Sequence, residues 1–275
     1  MICCKRNYWW AIAAAIAIAS AVSSKGASFT AEVSGIGRPM ILIPGLSSPA
    51  SVWDGTAAHF GDRYQIHKLQ LAGFAGAKPI DGAFLPTVRT ELAQYIRDNK
   101  LSSPIVVGHS LGAFLAFWLA SSEPDLVGAV VAVDGLPFAP AAMGGKPPDE
   151  AIDNMVQFIA SQTPEQFAMQ TRMSMSRMIG GKENLERFGG LAAKSDPKTV
   201  ARAMKELMTT DLRGDVAKIK APVLLIAAGD EQTAEYAKQI ESIKRHELVV
   251  AKDSKHFVML DAPDFLYAAM EKFLQ

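Results

Sequence analysis

Residues 104–122, PIVVGHSLGAFLAFWLASS, constrain the fold more than any other stretch of the chain. An apolar, β-branched run, Ile105-Val106-Val107, stops at Gly108-His109-Ser110-Leu111-Gly112, and an apolar stretch of helical length follows at once. A run that is apolar at every position reads as a strand buried on both faces, which belongs in a parallel sheet covered by helices. Gly108 and Gly112 let the backbone turn tightly and let the helix approach the strand, so the Ser110 oxygen stands exposed above the sheet.

The same alternation runs through the rest of the sequence. ASFTAEVSG, PMILIPG, YQIHKLQL, LVGAVVAVDG, APVLLIAAG and HELVVA read as further strands. Helices are expected from Leu85 to about Asn99, over Leu111–Ser122, over TAEYAKQIESI, and from Pro263 to the C-terminus. From Leu136 to about Asp215 there is no good strand candidate. DEAIDNMVQFIASQ, TPEQFAMQTRMSMSRMI and DPKTVARAMKELMTT are helical there, two of them opened by Thr163 or Asp196 with proline next. The fold class expected is α/β: a mostly parallel β-sheet with helices on both faces and a helical cap insertion. The corresponding division is 1–21 signal peptide, 22–135 first part of the core, 136–215 helical cap and 216–275 second part of the core.

The signal assignment rests on Lys5-Arg6 followed by an apolar run from Tyr8 to Val22 and the small-x-small pattern Ala19-Ser20-Ala21. That run is short of the roughly 20 residues a spanning helix needs, so a secreted or periplasmic protein is expected, with an uncleaved anchor as the alternative. The chain's 2 cysteines, Cys3 and Cys4, would leave with the signal, which removes disulfides and thiolate chemistry from consideration. With 28 basic and 28 acidic residues, no global field favours nucleic acid or an anionic membrane. No cofactor is expected. No carboxylate and histidine cluster has metal-ligand spacing, and the paired glycines of SGIGRP and GFAGAKP lack the strand-to-helix phosphate fingerprint.

A serine at such a turn suits a nucleophile, and the N-terminus of the following helix offers free N–H groups and a positive dipole where an oxyanion would form. It then needs a base oriented by a carboxylate. AKDSKHFVML supplies His256 in a loop after the last strand. His59, His67 and His246 lie in regular elements away from the turn, and strand alternation points His109 elsewhere, so these four read as structural. Two acids are available: Asp134 ends VGAVVAVDG, and Asp230 follows APVLLIAAG. Both strands deliver side chains to the carboxyl edge of a parallel sheet, so position alone does not separate the two. Asp134 is favoured and Asp230 is the alternative.

With GHSLG at 108–112, LIPGLSS after an early strand and KHFVMLDAPDF near the end, the chain resembles the α/β-hydrolase family over residues 35–275. The resemblance implies an oxyanion hole at the backbone N–H groups of Leu46 and Leu111. Pro44-Gly45 stands where many members have His-Gly, and Lys255 where a glycine commonly precedes the histidine. Dehalogenases and epoxide hydrolases of that fold use aspartate at the nucleophile position, so the serine points away from them.

The expected activity is cleavage of carboxylic esters through an acyl-enzyme, with a small-molecule ester as the partner. A cofactor-free lyase or perhydrolase on the same triad is the alternative, and a non-catalytic binding protein a remoter one. Met143, Met155, Met169, Met173, Met175 and Met178, with Phe158 and Phe167, suggest an apolar acyl or alcohol group, since methionine adapts to irregular apolar shapes. Trp53, Phe74 and Phe138 are further candidate walls.

Overall fold

Seven strands form one sheet in the order β1-β3-β2-β4-β5-β6-β7. They are β1 (Phe29–Ser34), β2 (Arg38–Ile43), β3 (Tyr64–Leu71), β4 (Ile105–His109), β5 (Ala129–Val133), β6 (Val223–Ala228) and β7 (His246–Ala251). The computed structural model describes residues 28–229, 231 and 233–275, so the expected signal segment and Asp230 lie outside the described residues. Edge strand β1 runs antiparallel to β3, and all other pairs are parallel. β4 and β5 are buried at every position, as central strands covered on both sides must be.

Successive side chains divide the strands between two cores. Ile41, Ile43, Val106 and Val130 face one side, with α2 (Leu85–Asp98) and α3 (Leu111–Ser122). Met40, Leu42, Val107 and Val131 face the other, with Trp53, Phe60 of α1 (Asp54–Phe60), and Leu266 and Met270 of the terminal helix Pro263–Phe273. In α3 every residue except Trp118 and Ser122 is buried, as a helix apolar all round requires.

Between β5 and β6 the chain is helical. It forms α4 (Asp149–Ala160), α5 (Pro164–Met178), an irregular helical stretch over 182–192, and α6 (Pro197–Thr209), before α7 (Thr233–Ile240) follows β6. Thr163 closes a capping box on α5: its Oγ1 accepts from Gln166 N at 3.3 Å while Gln166 Oε1 accepts from Thr163 N at 3.0 Å. Asp196 caps α6 through Thr199 N at 2.7 Å. This helical layer is tied back to the sheet domain. Glu206 of α6 accepts from Phe84 N at 2.9 Å and Leu85 N at 2.6 Å, satisfying the start of α2, which has no side-chain cap of its own.

The turn at Ser110 depends on close backbone approaches. A Cβ on Gly108 would lie 2.1 Å from the Gly112 carbonyl oxygen, and one on Gly112 would lie 2.3 Å from that of Ile43. Neither backbone neighbour can yield without moving β2, β4 or α3. Gly108→Ala is therefore expected to lower unfolding stability by more than ~2 kcal/mol, or to prevent folded protein from accumulating. Denaturant melts of the variant and its parent provide the check, and matching midpoints would contradict this account of the turn.

Candidate active site

The β4–α3 junction holds Ser110 at φ 53° and ψ −117°, a conformation that non-glycine residues rarely adopt. Three hydrogen bonds maintain it. Ser110 N donates to the Val133 carbonyl at 2.9 Å, extending the β4–β5 pairing by one residue, and the Ser110 carbonyl accepts from Ala113 N and Phe114 N at 2.9 and 3.1 Å. Gly135 passes so close that a Cβ there would lie 2.4 Å from the Ser110 carbonyl oxygen. One strand further, Asp134 has the same type of strain, with φ 45°, and its N–H donates to the Ile226 carbonyl at 2.8 Å.

The loop after β7 carries His256 to the carboxyl edge of the sheet, where His256 Nδ1 meets Asp134 Oδ2 at 2.5 Å across 122 residues of sequence. The carboxylate is almost wholly buried. Its other oxygen accepts from Ala228 N at 2.9 Å and from the Tyr236 hydroxyl at 2.8 Å. Burial opposes the charged form of Asp134. The hydrogen bond and charge of His256 outweigh it, with help from the Ala228 N–H and Tyr236, and hold the carboxyl below its ordinary pKa. Burial and the neighbouring carboxylate push the Tyr236 hydroxyl up, so it remains a donor. With Nδ1 committed to a carboxylate, Nε2 is the imidazole nitrogen left to accept a proton.

Ser110 and His256 line one chamber of about 1090 Å³, together with Leu46 and Leu111. Among the described residues neither the Leu46 nor the Leu111 N–H has a hydrogen-bond partner, so both remain available to an anion. The chamber's apolar walls come from Phe114 and from the helical layer, including Met155, Phe158, Phe167, Met175, Met178, Met204 and Met208. Met169 and Met173 are instead exposed on the outer face of α5. Trp53, Phe74 and Phe138, candidate walls from sequence, are all buried, and none of them lines the chamber. Trp53 packs beneath the sheet, Phe74 against Phe84 with centroids 5.2 Å apart, and Phe138 under the Arg213 guanidinium, 4.5 Å from its ring centroid, while the Phe138 N–H donates to Gln239 Oε1. Long-range packing, which adjacency in sequence does not report, sends them inward.

Three of the remaining histidines have structural partners. His59 meets Glu271 at 2.9 Å, His67 meets the Tyr95 hydroxyl at 2.8 Å, and His246 meets the Ile243 carbonyl at 2.6 Å. His109 departs from its expected orientation: its ring is fully buried and its Nε2 lies 2.9 Å from the carbonyl oxygen of His256 itself. Tyr236 had no signal in sequence, because an aromatic residue in an amphipathic helix reads as core. No group of three or more His, Cys, Asp or Glu that could hold a metal occurs among the described residues.

The sequence profile of the alpha/beta hydrolase family matches residues 40–269. The pimeloyl-[acyl-carrier protein] methyl ester esterase of Nitrosomonas europaea is 25% identical over 208 residues, 73% of this chain and 80% of that protein. The (E)-2-((N-methylformamido)methylene)succinate hydrolase of Acinetobacter baylyi is 23% identical over 255 residues, covering 88% and 92% of the two chains. Among solved structures, a hydrolase from Pseudomonas aeruginosa PA01 shares the fold with a TM-score of 0.81 at 19% identity, covering 94% of this chain and 99% of that one.

The buried His109 has a consequence for acid stability. Burial, then the charge of His256, pushes its pKa down to about 3, against the pull of Asp134 and the carbonyl of His256. Between an unfolded value of about 6.5 and that folded value, the unfolded chain binds a proton the native state refuses. Unfolding free energy therefore falls with decreasing pH across that window, by up to ~1.4 kcal/mol per pH unit from this group. Denaturant melts at pH 7.5 and pH 5 should show the parent losing more stability than His109→Phe. An identical loss in both would refute the assignment.

Proposed function

The chain belongs to the alpha/beta hydrolase family, and from that premise we propose that it hydrolyses carboxylic esters with Ser110 as nucleophile, His256 as base and Asp134 as the orienting acid. One observation carries the reading: a buried carboxylate grips His256 Nδ1 at 2.5 Å, at the wall of the same chamber that Ser110 lines. Asp134 keeps the imidazole in the tautomer whose Nε2 can accept the hydroxyl proton, and it stabilises the imidazolium that results.

Ser110 Oγ attacks the substrate carbonyl carbon as its proton passes to His256 Nε2. The tetrahedral oxyanion rests on the N–H groups of Leu46 and Leu111, and the N-terminal dipole of α3 adds to the favourable field. Collapse expels the alcohol, which takes the proton from His256, and leaves the acyl group on Ser110. Water then gives a proton to His256, attacks the acyl carbon, and releases the acid with Ser110 restored. The methionine- and phenylalanine-rich chamber supports an ester with an apolar acyl or alcohol portion. The relatives named for methyl ester and succinate-derivative hydrolysis support hydrolytic chemistry in general.

A panel of p-nitrophenyl esters of increasing chain length tests the substrate class, with rising kcat/KM on lengthening the acyl chain as the expected result. Ser110→Ala should lower kcat by on the order of 10⁴-fold or more while preserving the fold. Stoichiometric organophosphonate labelling at any residue other than Ser110 would remove the assignment.

The acid has its own comparison. Asp134→Asn should cost around 10⁴-fold in kcat through loss of the productive imidazole tautomer, whereas Asp230→Asn should cost little. Near-parental turnover in Asp134→Asn would transfer the role to Asp230.

A further inference from the structure

We infer that His109 is a positioning residue that sets the nucleophile and the base in register through a single hydrogen bond to the main chain of His256. The inference rests on the Ser110–His256 reading above and adds a residue to it. His109 ends β4 opposite Val133 and is followed directly by Ser110. Its Nε2 reaches the His256 carbonyl oxygen at 2.9 Å, and its ring centroid lies 4.6 Å from that of His256 and 4.5 Å from that of Phe257. One side chain therefore links the residue next to the nucleophile with the peptide of the base, although the two lie 147 residues apart.

A third segment meets the same ring. Gly45, which precedes the oxyanion donor Leu46, approaches so closely that a Cβ would lie 2.8 Å from His109 Nδ1 and 3.2 Å from Ser110 Cβ. The strand of the nucleophile, the loop of the oxyanion donor and the loop of the base thus converge on His109.

The chemistry of the contact fixes the tautomer. A carbonyl oxygen only accepts, so Nε2 must carry the proton, and Nδ1 is then a bare acceptor. That Nδ1 is buried and has no partner among the described residues. A buried unpaired acceptor is unfavourable, and a phenylalanine of similar shape would avoid it. Phenylalanine would also leave the His256 carbonyl without its donor. Keeping one nitrogen unsatisfied is the cost of holding the other on His256. Flanking contacts hold the neighbouring residues instead: Lys255 N donates to Asp261 Oδ2 at 3.1 Å, and Phe257 N to the Met178 carbonyl at 3.4 Å. Misplacing a catalytic group by a fraction of an ångström lowers turnover more than it lowers substrate binding.

The test is His109→Phe, which preserves ring volume and removes the donor, assayed on the best p-nitrophenyl ester. The expected result is a kcat lowered about 10- to 100-fold with KM within twofold of the parent, in protein that melts cooperatively above the assay temperature. A folded variant with kcat within twofold of the parent, or with the loss falling on KM, overturns the inference. If His109→Phe does not fold, His109→Ala with added imidazole decides instead. Turnover recovered at least fivefold, after subtracting imidazole's own esterolysis measured on Ser110→Ala, supports the role, and no recovery overturns it. Ser110→Ala also separates the two claims. If it still turns over, the serine reading falls. If it is inert while His109→Phe matches the parent, only the role of His109 falls.

Discussion

The site depends on how closely α3 can approach β2 and β4. The missing side chains let Gly108 of β4 lie against the Gly112 carbonyl of α3 and let Gly112 lie against the Ile43 carbonyl of β2, and that approach accompanies the strained turn at Ser110. A non-glycine residue held there costs of order 1–3 kcal/mol, which the structure sustains only because the surrounding packing over-determines it. α3 is buried on all sides, β4 is buried at every position, and the Ser110 N–H continues the ladder to β5. The strained residue therefore sits among closely packed, hydrogen-bonded neighbours, as a preorganised group should.

The second strained residue follows from the same ladder. Asp134 leaves β5 with positive φ immediately after the strand that receives Ser110, so two adjacent strand ends project functional groups into one chamber. Burying a carboxylate is costly unless it is paired and hydrogen-bonded. Here the His256 imidazole, the Ala228 N–H and the Tyr236 hydroxyl together satisfy it. Tyr236 comes from α7, after β6, so the segment that carries the alternative acid Asp230 also supplies a support for Asp134.

The helical layer between β5 and β6 contributes most of the apolar wall. It packs into both cores through Phe167, Val200, Met175 and Ile179, and polar contacts add to that attachment. Glu206 caps α2, Arg187 pairs with Asp54 at 3.1 Å, and Asp261 accepts from Gly180 N at 2.8 Å as well as from Lys255 N. The last of these joins the exit of α5 to the loop that carries His256. Placement of the chamber's wall and placement of the histidine are thereby mechanically connected.

The sequence by itself determined the alternation of strands and helices, the long helical interruption, the tight turn at Ser110 and the loop histidine. All of these are written in local signals: apolar runs, proline and capping residues at helix starts, and glycines flanking one serine. Tertiary structure alone decided which residues meet. It brought Asp134 against His256 and turned His109 onto the His256 carbonyl rather than away from the site. It also buried Trp53, Phe74 and Phe138 off the chamber while recruiting Phe114, Met204 and Met208 to it. The physical reason is distance along the chain. Periodicity reports which face of an element is apolar, but which groups share a cavity depends on the register and packing of elements more than a hundred residues apart.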